Sequence, residues 1–331
     1  MDSTQQQKME PLLVDTGRET IRPLDPRYKP IWDSYKKQQG SFWVPEEIDL
    51  SQDSRDWENL DEDSKHFLSH VLAFFAVSDE VVSKNLSERF IPEIKIPEAT
   101  HAYSYQGTME NIHSETYSLF IETLVPEKTE RDRLFNAVNN MPVVSDKTKW
   151  AEKWISSEEP FAVRLIAFAC VEGIFFSGSF CAIDYIKQKK LFPGLCFAND
   201  FIARDEAMHT ELACIMYTFI NNKVDIEKFQ SIVEEAVKVE KTFVCDALPV
   251  SLIGMNKDLM CTHIEYCANI LARELGYEEI YPNSTKCPFP FMKNRTLEQK
   301  VNFFEHKVSE YKKFGALTKK EDMAFEISDD F

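Results

Sequence analysis

The sequence predicts an all-α protein folded as one bundle with loosely ordered ends. Three observations predict it. Apolar residues recur at helical spacing along most of the 331-residue chain. Few segments alternate with a two-residue period. Gly (9) and Pro (15) are too scarce for a turn-rich all-β chain. A hydrophobic content of 44% with 28% charged residues is globular and sufficient for a sizeable core.

In chain order, Pro23, Pro26 and Pro30 break any early helix, so residues 1–30 are expected to be a flexible lead-in. From Asp61 the spacing of Phe67, Val71, Phe74, Phe75 and Ser78 predicts a helix, and Pro92 and Pro97 punctuate the stretch after it. A second helix is expected from Pro97 to Leu124 and a third over Asp132–Val138. The long apolar run Phe161–Ile186 is next. Further helices are expected over Asn199–Ile220, 226–246 and 257–275. Thr296-Leu-Glu-Gln299 reads as a capping box opening a last helix that ends near Gly315. Residues 31–316 thus form the domain, and 317–331 a short, mobile acidic tail.

The run Phe161–Ile186 contains Arg164, Glu172 and several small polar residues, which fits the central helix of a bundle better than a membrane span. The net charge of −17 and a pI near 4.9 argue against a dominant phosphate-backbone-binding surface, so no nucleic-acid partner and no membrane partner are expected. The eight Cys form no CxxC pair and several lie in apolar runs. With a polar N-terminus lacking an apolar signal segment, this predicts reduced thiols and a cytoplasmic protein.

An ionised Glu172 flanked by Val171, Ile174, Phe175 and Phe176 would be costly to bury without a cation, a proton or hydrogen-bond donors. Glu-x-x-His places two metal ligands one turn apart on one helix face. The chain has three such pairs: Glu98/His101, Glu110/His113 and Glu206/His209. Asp79 precedes Glu110, and Glu172 precedes Glu206, by about one helix, one loop and part of a returning helix at ~1.5 Å per residue. Each half can therefore set a lone acid beside a Glu-x-x-His pair. Together they supply four carboxylates and two imidazoles to a four-helix core, the ligand pattern of ferritin-like di-iron and di-manganese bundles, here with Asp at one lone position. Oxygen donors with one imidazole per metal favour Fe or Mn over a zinc protease site. Glu98/His101 has no partner acid at matching distance and reads as structural or surface. Tyr117 lies one turn after His113 on the same face, a candidate for one-electron oxidation. Phe176 and Phe180 follow Glu172 at i+4 and i+8 and would wall the interior.

At these residues the chain resembles the small, radical-generating subunit of class I ribonucleotide reductase, of the eukaryotic or large-DNA-virus type. The resemblance rests on Phe42-Trp43, Phe74-Phe75-Ala76-Val77-Ser78-Asp79, Met109-Glu-Asn-Ile-His-Ser-Glu115, Val171-Glu-Gly-Ile-Phe-Phe-Ser-Gly-Ser-Phe180, Ala203-Arg-Asp-Glu206 with His209, Leu252-Ile-Gly-Met-Asn256 and Asn302-Phe-Phe-Glu305, and covers roughly residues 25–331. It implies that Asp79, Glu110 and His113 bind one iron and Glu172, Glu206 and His209 the other, with a carboxylate bridging the two. It implies that Tyr117 bears the radical after O₂ is activated, with Ile202 joining Phe176 and Phe180 in its pocket. Trp43, Asp205 and His113 match the relay towards the surface, and Tyr311 the tyrosine that passes the radical on. The end of the chain, with Phe325 and Phe331 as anchors, resembles the tail that docks on the large subunit. A homodimer is also implied.

Glu80, Ala207-Met208, Asp184-Tyr185 and Ser104-Tyr105 depart from the family pattern, but none of these changes removes a ligand, the tyrosine or a relay residue. Gly173 and Gly178 have phosphate-loop spacing, yet Ser179 stands where Lys is needed, so this chain is not expected to bind the nucleotide itself. The alternatives are a catalytically silent paralogue, which should have lost ligands, a ferritin-like storage protein, which needs no relay, and another ferritin-like di-iron oxidase or desaturase, against which Tyr117 and Asp79 argue.

Overall fold

The computed structural model describes residues 9–18, 20–247 and 255–292. Among these residues there are helices and no strand. The long elements are α1 (Lys29–Gln39), α2 (Ser51–Glu58), α3 (Glu62–Asn85), α4 (Pro97–Leu124), α5 (Pro142–Ile155), α6 (Phe161–Cys170), α7 (Ser177–Gln188), α8 (Pro193–Thr218), α9 (Ile226–Lys241) and α10 (Lys257–Glu274). A π-helical turn, Val171–Phe175, joins α6 to α7. Helix α3 packs along α4, α8 packs on α4, α6 and α7, and α1 lies against both α4 and α8.

Local chemistry sets the helix starts. Asp61 accepts a hydrogen bond from the Ser64 N–H (2.9 Å) to open α3, Asp225 from Lys228 (2.8 Å) to open α9, and Asn256 from Leu259 (2.9 Å) to open α10. The start of α8 is built differently. Phe192 is fully buried in the left-handed region at φ 55°, and Pro193 takes the first helical position. The Asp53 carboxylate on α2 accepts from the N–H groups of Gly194 (2.8 Å) and Leu195 (2.6 Å), while Asp56 accepts from Phe192 N–H (2.8 Å). Two acids from one helix thus satisfy the orphan donors of another and face its positive end. Only glycine fits at 194, because a Cβ there would lie 2.4 Å from the Asp49 carbonyl oxygen.

Four expectations change. The run Phe161–Gln188 is interrupted by the π turn and by Phe176, rather than being one continuous helix; 89% of its most apolar window is buried, as in a core helix. The expected helix over 132–138 is two short helices, Lys128–Phe135 and Ala137–Asn140. Helix α9 ends at Lys241 and passes into a π-helical turn, Thr242–Ala247. The described part of the lead-in is packed rather than loose: Leu12 is fully buried, its carbonyl accepts from Lys95 N–H (2.9 Å), and Arg18 pairs with buried Glu98 at 2.8 Å. Prolines break helices there without preventing burial. Helix α5 was not anticipated, although Val144, Lys147, Trp150, Ala151 and Trp154 mark its buried face.

Removing the α8 anchor should be measurable. Asp53→Ala is expected to lower the unfolding free energy by about 3 kcal/mol, because two buried N–H groups lose a charged acceptor. Urea denaturation reads this directly, and a loss below ~0.5 kcal/mol, within the range of an ordinary surface change, would mean that Asp53 does not hold α8.

Candidate metal centre

Each predicted ligand within the described residues reaches one place. Asp79 comes from α3, Glu110 and His113 from α4, Glu172 from the π turn, and Glu206 and His209 from α8. All six are buried. Ligand atoms of Glu110, Glu172, Glu206 and His209 lie within 4.8 Å of one another, as do those of Asp79, Glu110 and His113. Glu110 belongs to both groups. His113 Nδ1 is 3.0 Å from Glu206 Oε1, and His209 Nδ1 is 2.8 Å from Glu110 Oε1. Both imidazoles thus turn the same nitrogen toward the carboxylates.

The electrostatics are those of a cluster short of positive charge. Burial, reinforced by the neighbouring Glu110, pushes the Asp79 carboxyl well above its usual range. Burial and the Glu206 charge do the same to Glu172. Burial works against a charged imidazole, but Glu110 and Glu206 outweigh it and hold His209 up at about 9. His113 is raised too, the neighbouring carboxylates of Asp205, Glu110 and Glu206 overcoming desolvation. Burial likewise opposes ionisation of Glu206, yet the His209 charge and the two imidazoles beside it keep it below the usual carboxylate range. Protons shared among these groups offset part of the charge. A divalent cation would displace them.

The residues fit such ions. Both Asp79 oxygens and Glu110 Oε2 are buried and make no hydrogen bond, a costly state for carboxylates that nothing ligates. The donor set is oxygen with two imidazoles and no thiolate, which suits Fe or Mn.

Around the cluster, the residues that the resemblance implies as a relay are in contact. Asp205 Oδ2 accepts from Trp43 Nε1 at 2.7 Å and lies 3.3 Å from His113 Nε2. The Trp43 and His113 rings stack at 6.0 Å. Arg204 donates to the other Asp205 oxygen (2.9 and 3.1 Å) and to the Ser41 carbonyl (2.6 Å). It therefore fixes the carboxylate that orients the imidazole. From Trp43 the aromatic contacts continue through Phe201 (5.4 Å) to half-exposed Phe197.

Tyr117 is fully buried, and Phe75 stacks on it at 4.4 Å with 4° between planes. Phe180 and Phe176 pack on Phe75 at 5.2 and 5.8 Å. Phe176 and Phe180 thus lie behind Phe75, which presents its face to Tyr117. Ile202 is buried on α8, one turn before Glu206. Tyr311, Phe325 and Phe331 lie outside the described residues.

Sequence reasoning gave no role to Phe75, Arg204 or Gln106. Gln106 donates to Glu172 Oε1 at 2.9 Å from one turn before Glu110. A polar residue at i−4 from a ligand, on a buried face, was the available signal. The Glu98/His101 pair belongs to neither group: Glu98 binds Arg18 and the Asp25 N–H (3.0 Å), while His101 is exposed. A cavity of about 90 Å³ borders Glu172 and Glu206, with Thr210, His263 and Cys267 in its wall.

The family model "Ribonucleotide reductase, small chain" matches residues 21–288. The chain belongs to this family. It is 48% identical to the ribonucleoside-diphosphate reductase small chain of Trypanosoma brucei brucei, over 97% of its own length and 95% of that relative. It is also 48% identical to the small chain of Vaccinia virus (strain Ankara), over 98% and 100% respectively. As a ribonucleoside-diphosphate reductase small subunit it implies a large-subunit partner. Among solved structures it is similar to the ribonucleotide reductase Rnr4 homodimer of Saccharomyces cerevisiae, with TM-score 0.78, 34% identity and coverage of 91% and 92%. The dimanganese(II)-NrdF of Streptococcus sanguinis shares the fold, with TM-score 0.74 at 18% identity over 84% and 99%. The helical bundle with its carboxylate–imidazole cluster is thus of the ferritin-like small-subunit kind.

Proposed function

We propose that this small subunit holds a di-iron centre that uses O₂ to generate a radical on Tyr117, and passes the oxidising equivalent to the large subunit for reduction of ribonucleotides. One observation carries the reading: a complete six-residue ligand cluster sits one helical turn from a fully buried tyrosine stacked against a phenylalanine wall. Asp79, Glu110 and His113 would hold one ion and Glu172, Glu206 and His209 the other. Manganese is the alternative metal.

When bound, the metal pair supplies the one-electron oxidation of Tyr117. The protein's own contribution is positional. Asp205, gripped by Arg204 and Trp43, fixes His113. Phe75, Phe176 and Phe180 keep water and reductants from the phenol ring. Trp43, Asp205 and His113 provide a contact path outward, which Tyr311 would continue. The acidic tail, with Glu321, Asp322, Glu326, Asp329 and Asp330 beside the aromatic anchors Phe325 and Phe331, suits an apolar pocket rimmed by basic residues on the large subunit. The solved Rnr4 homodimer supports a second copy of this chain as a further partner, and the reduced thiols of the described residues suit a cytoplasmic setting. The silent alternative should have lost a ligand, and all six are present.

Aerobic iron loading followed by electron paramagnetic resonance tests the radical. A tyrosyl signal is expected in the wild type and its absence in Tyr117→Phe; no signal in iron-loaded wild type would refute it. The tail has its own assay, dNDP formation with a matching large subunit. Deleting residues 325–331 should abolish turnover while leaving the tyrosyl signal intact, and full activity without them would remove the docking role.

A further inference from the structure

Helix α5 carries a lysine in the middle of its buried face. Lys147 is 1% exposed and its partner Glu240, near the end of α9, is fully buried. Their charged atoms are 2.5 Å apart. A buried ion pair gives little net stability, because desolvating two charges offsets their attraction. What else the pair touches is therefore informative.

Both partners also bind backbone at the interruption between the π turn and α7. Lys147 Nζ donates to the Phe175 carbonyl at 2.6 Å, and Glu240 Oε1 accepts from the Gly178 N–H at 3.1 Å. The two backbone groups bracket Phe176, where the helix breaks. A Cβ at Gly178 would come within 2.6 Å of Glu240 Oε1, so glycine allows this approach. The same ammonium lies 3.6 Å from the ring centroid of Phe74 and 3.9 Å from that of Phe243. Phe74 packs on Phe75 (5.6 Å) and Phe176 (5.8 Å). One ion pair thus holds the segment that bears Glu172 on one side and Phe176 and Phe180 on the other. It also touches the ring next to the one that stacks on Tyr117.

We propose that Lys147 and Glu240 are positioning residues that set the register of the Glu172 ligand and of the phenylalanine wall over Tyr117. The ligand half rests on metal binding at the cluster, and the wall half on the radical reading of Tyr117. The pair bonds backbone groups on both sides of the interruption and fixes where it falls.

The test uses the full-length double variant K147M/E240M, which removes both charges together and so leaves no lone buried ion. Its melting temperature reports the fold. If the pair positions the site, Co(II) affinity falls about tenfold, as for other groups that orient metal ligands. The Co(II) absorption spectrum shifts, and in iron-loaded protein the tyrosyl signal changes its hyperfine pattern and decays faster than in the wild type. A folded double variant with wild-type Co(II) affinity, spectrum and radical decay would overturn the proposal. If the double variant does not fold, E240Q is read by the same signatures. It keeps the size and one acceptor for Gly178, and a smaller shift in the same direction is expected; wild-type values overturn the proposal. Wild-type protein that binds Co(II) but gives no tyrosyl signal counts against the radical reading alone, and the Co(II) signatures then decide the role of the pair.

Discussion

Burying four carboxylates at one point of a helical core is the constraint to which the surrounding structure answers. Each ionised acid removed from water costs several kcal/mol unless something positive meets it. Two imidazoles supply part of that, held in their charged forms by Glu110, Glu206 and Asp205. Asp79 and Glu172, pushed toward their neutral forms, show what two imidazoles leave uncompensated. A pair of divalent cations would remove the mismatch, and the orphaned oxygens of Asp79, Glu110, Glu172 and Glu206 face that deficit.

The scaffold consists largely of devices that keep those acids in place. Helix α4 sets Glu110, His113 and Tyr117 on one face by spacing alone. Helix α8 is fixed at its start by Asp53 and Asp56 and carries Asp205, Glu206 and His209 inward. Glu172 sits on a π turn, a feature that often marks functional sites because the extra residue shifts the register of the next turns. The aromatic wall then joins ligand helices to Tyr117 through Phe75, so packing and chemistry share residues.

The helical fold and the clustering of four acids with two histidines were legible because both depend on periodicity: 3.6 residues per turn and i, i+3 pairing leave a direct trace in the residue order. Glu98 looked the same locally and was separated by its lack of a partner acid; the structure gives it Arg18 instead. What was not legible depended on contacts between distant segments. The interruption at Phe176 answers to Lys147 and Glu240, far away in sequence. The packing of Leu12 and Arg18 depends on Lys95 and Glu98. Phe75 could not be told from its neighbour Phe74 by pattern, because only the crossing of α3 and α4 decides which ring meets Tyr117.

The occupancy of the cluster can be counted directly by anomalous scattering from crystals grown with Mn(II). Two peaks are expected, about 3.5–4 Å apart, one among Asp79, Glu110 and His113 and the other among Glu110, Glu172, Glu206 and His209. A single peak, or binding confined to surface carboxylates, would contradict a di-metal centre in this core.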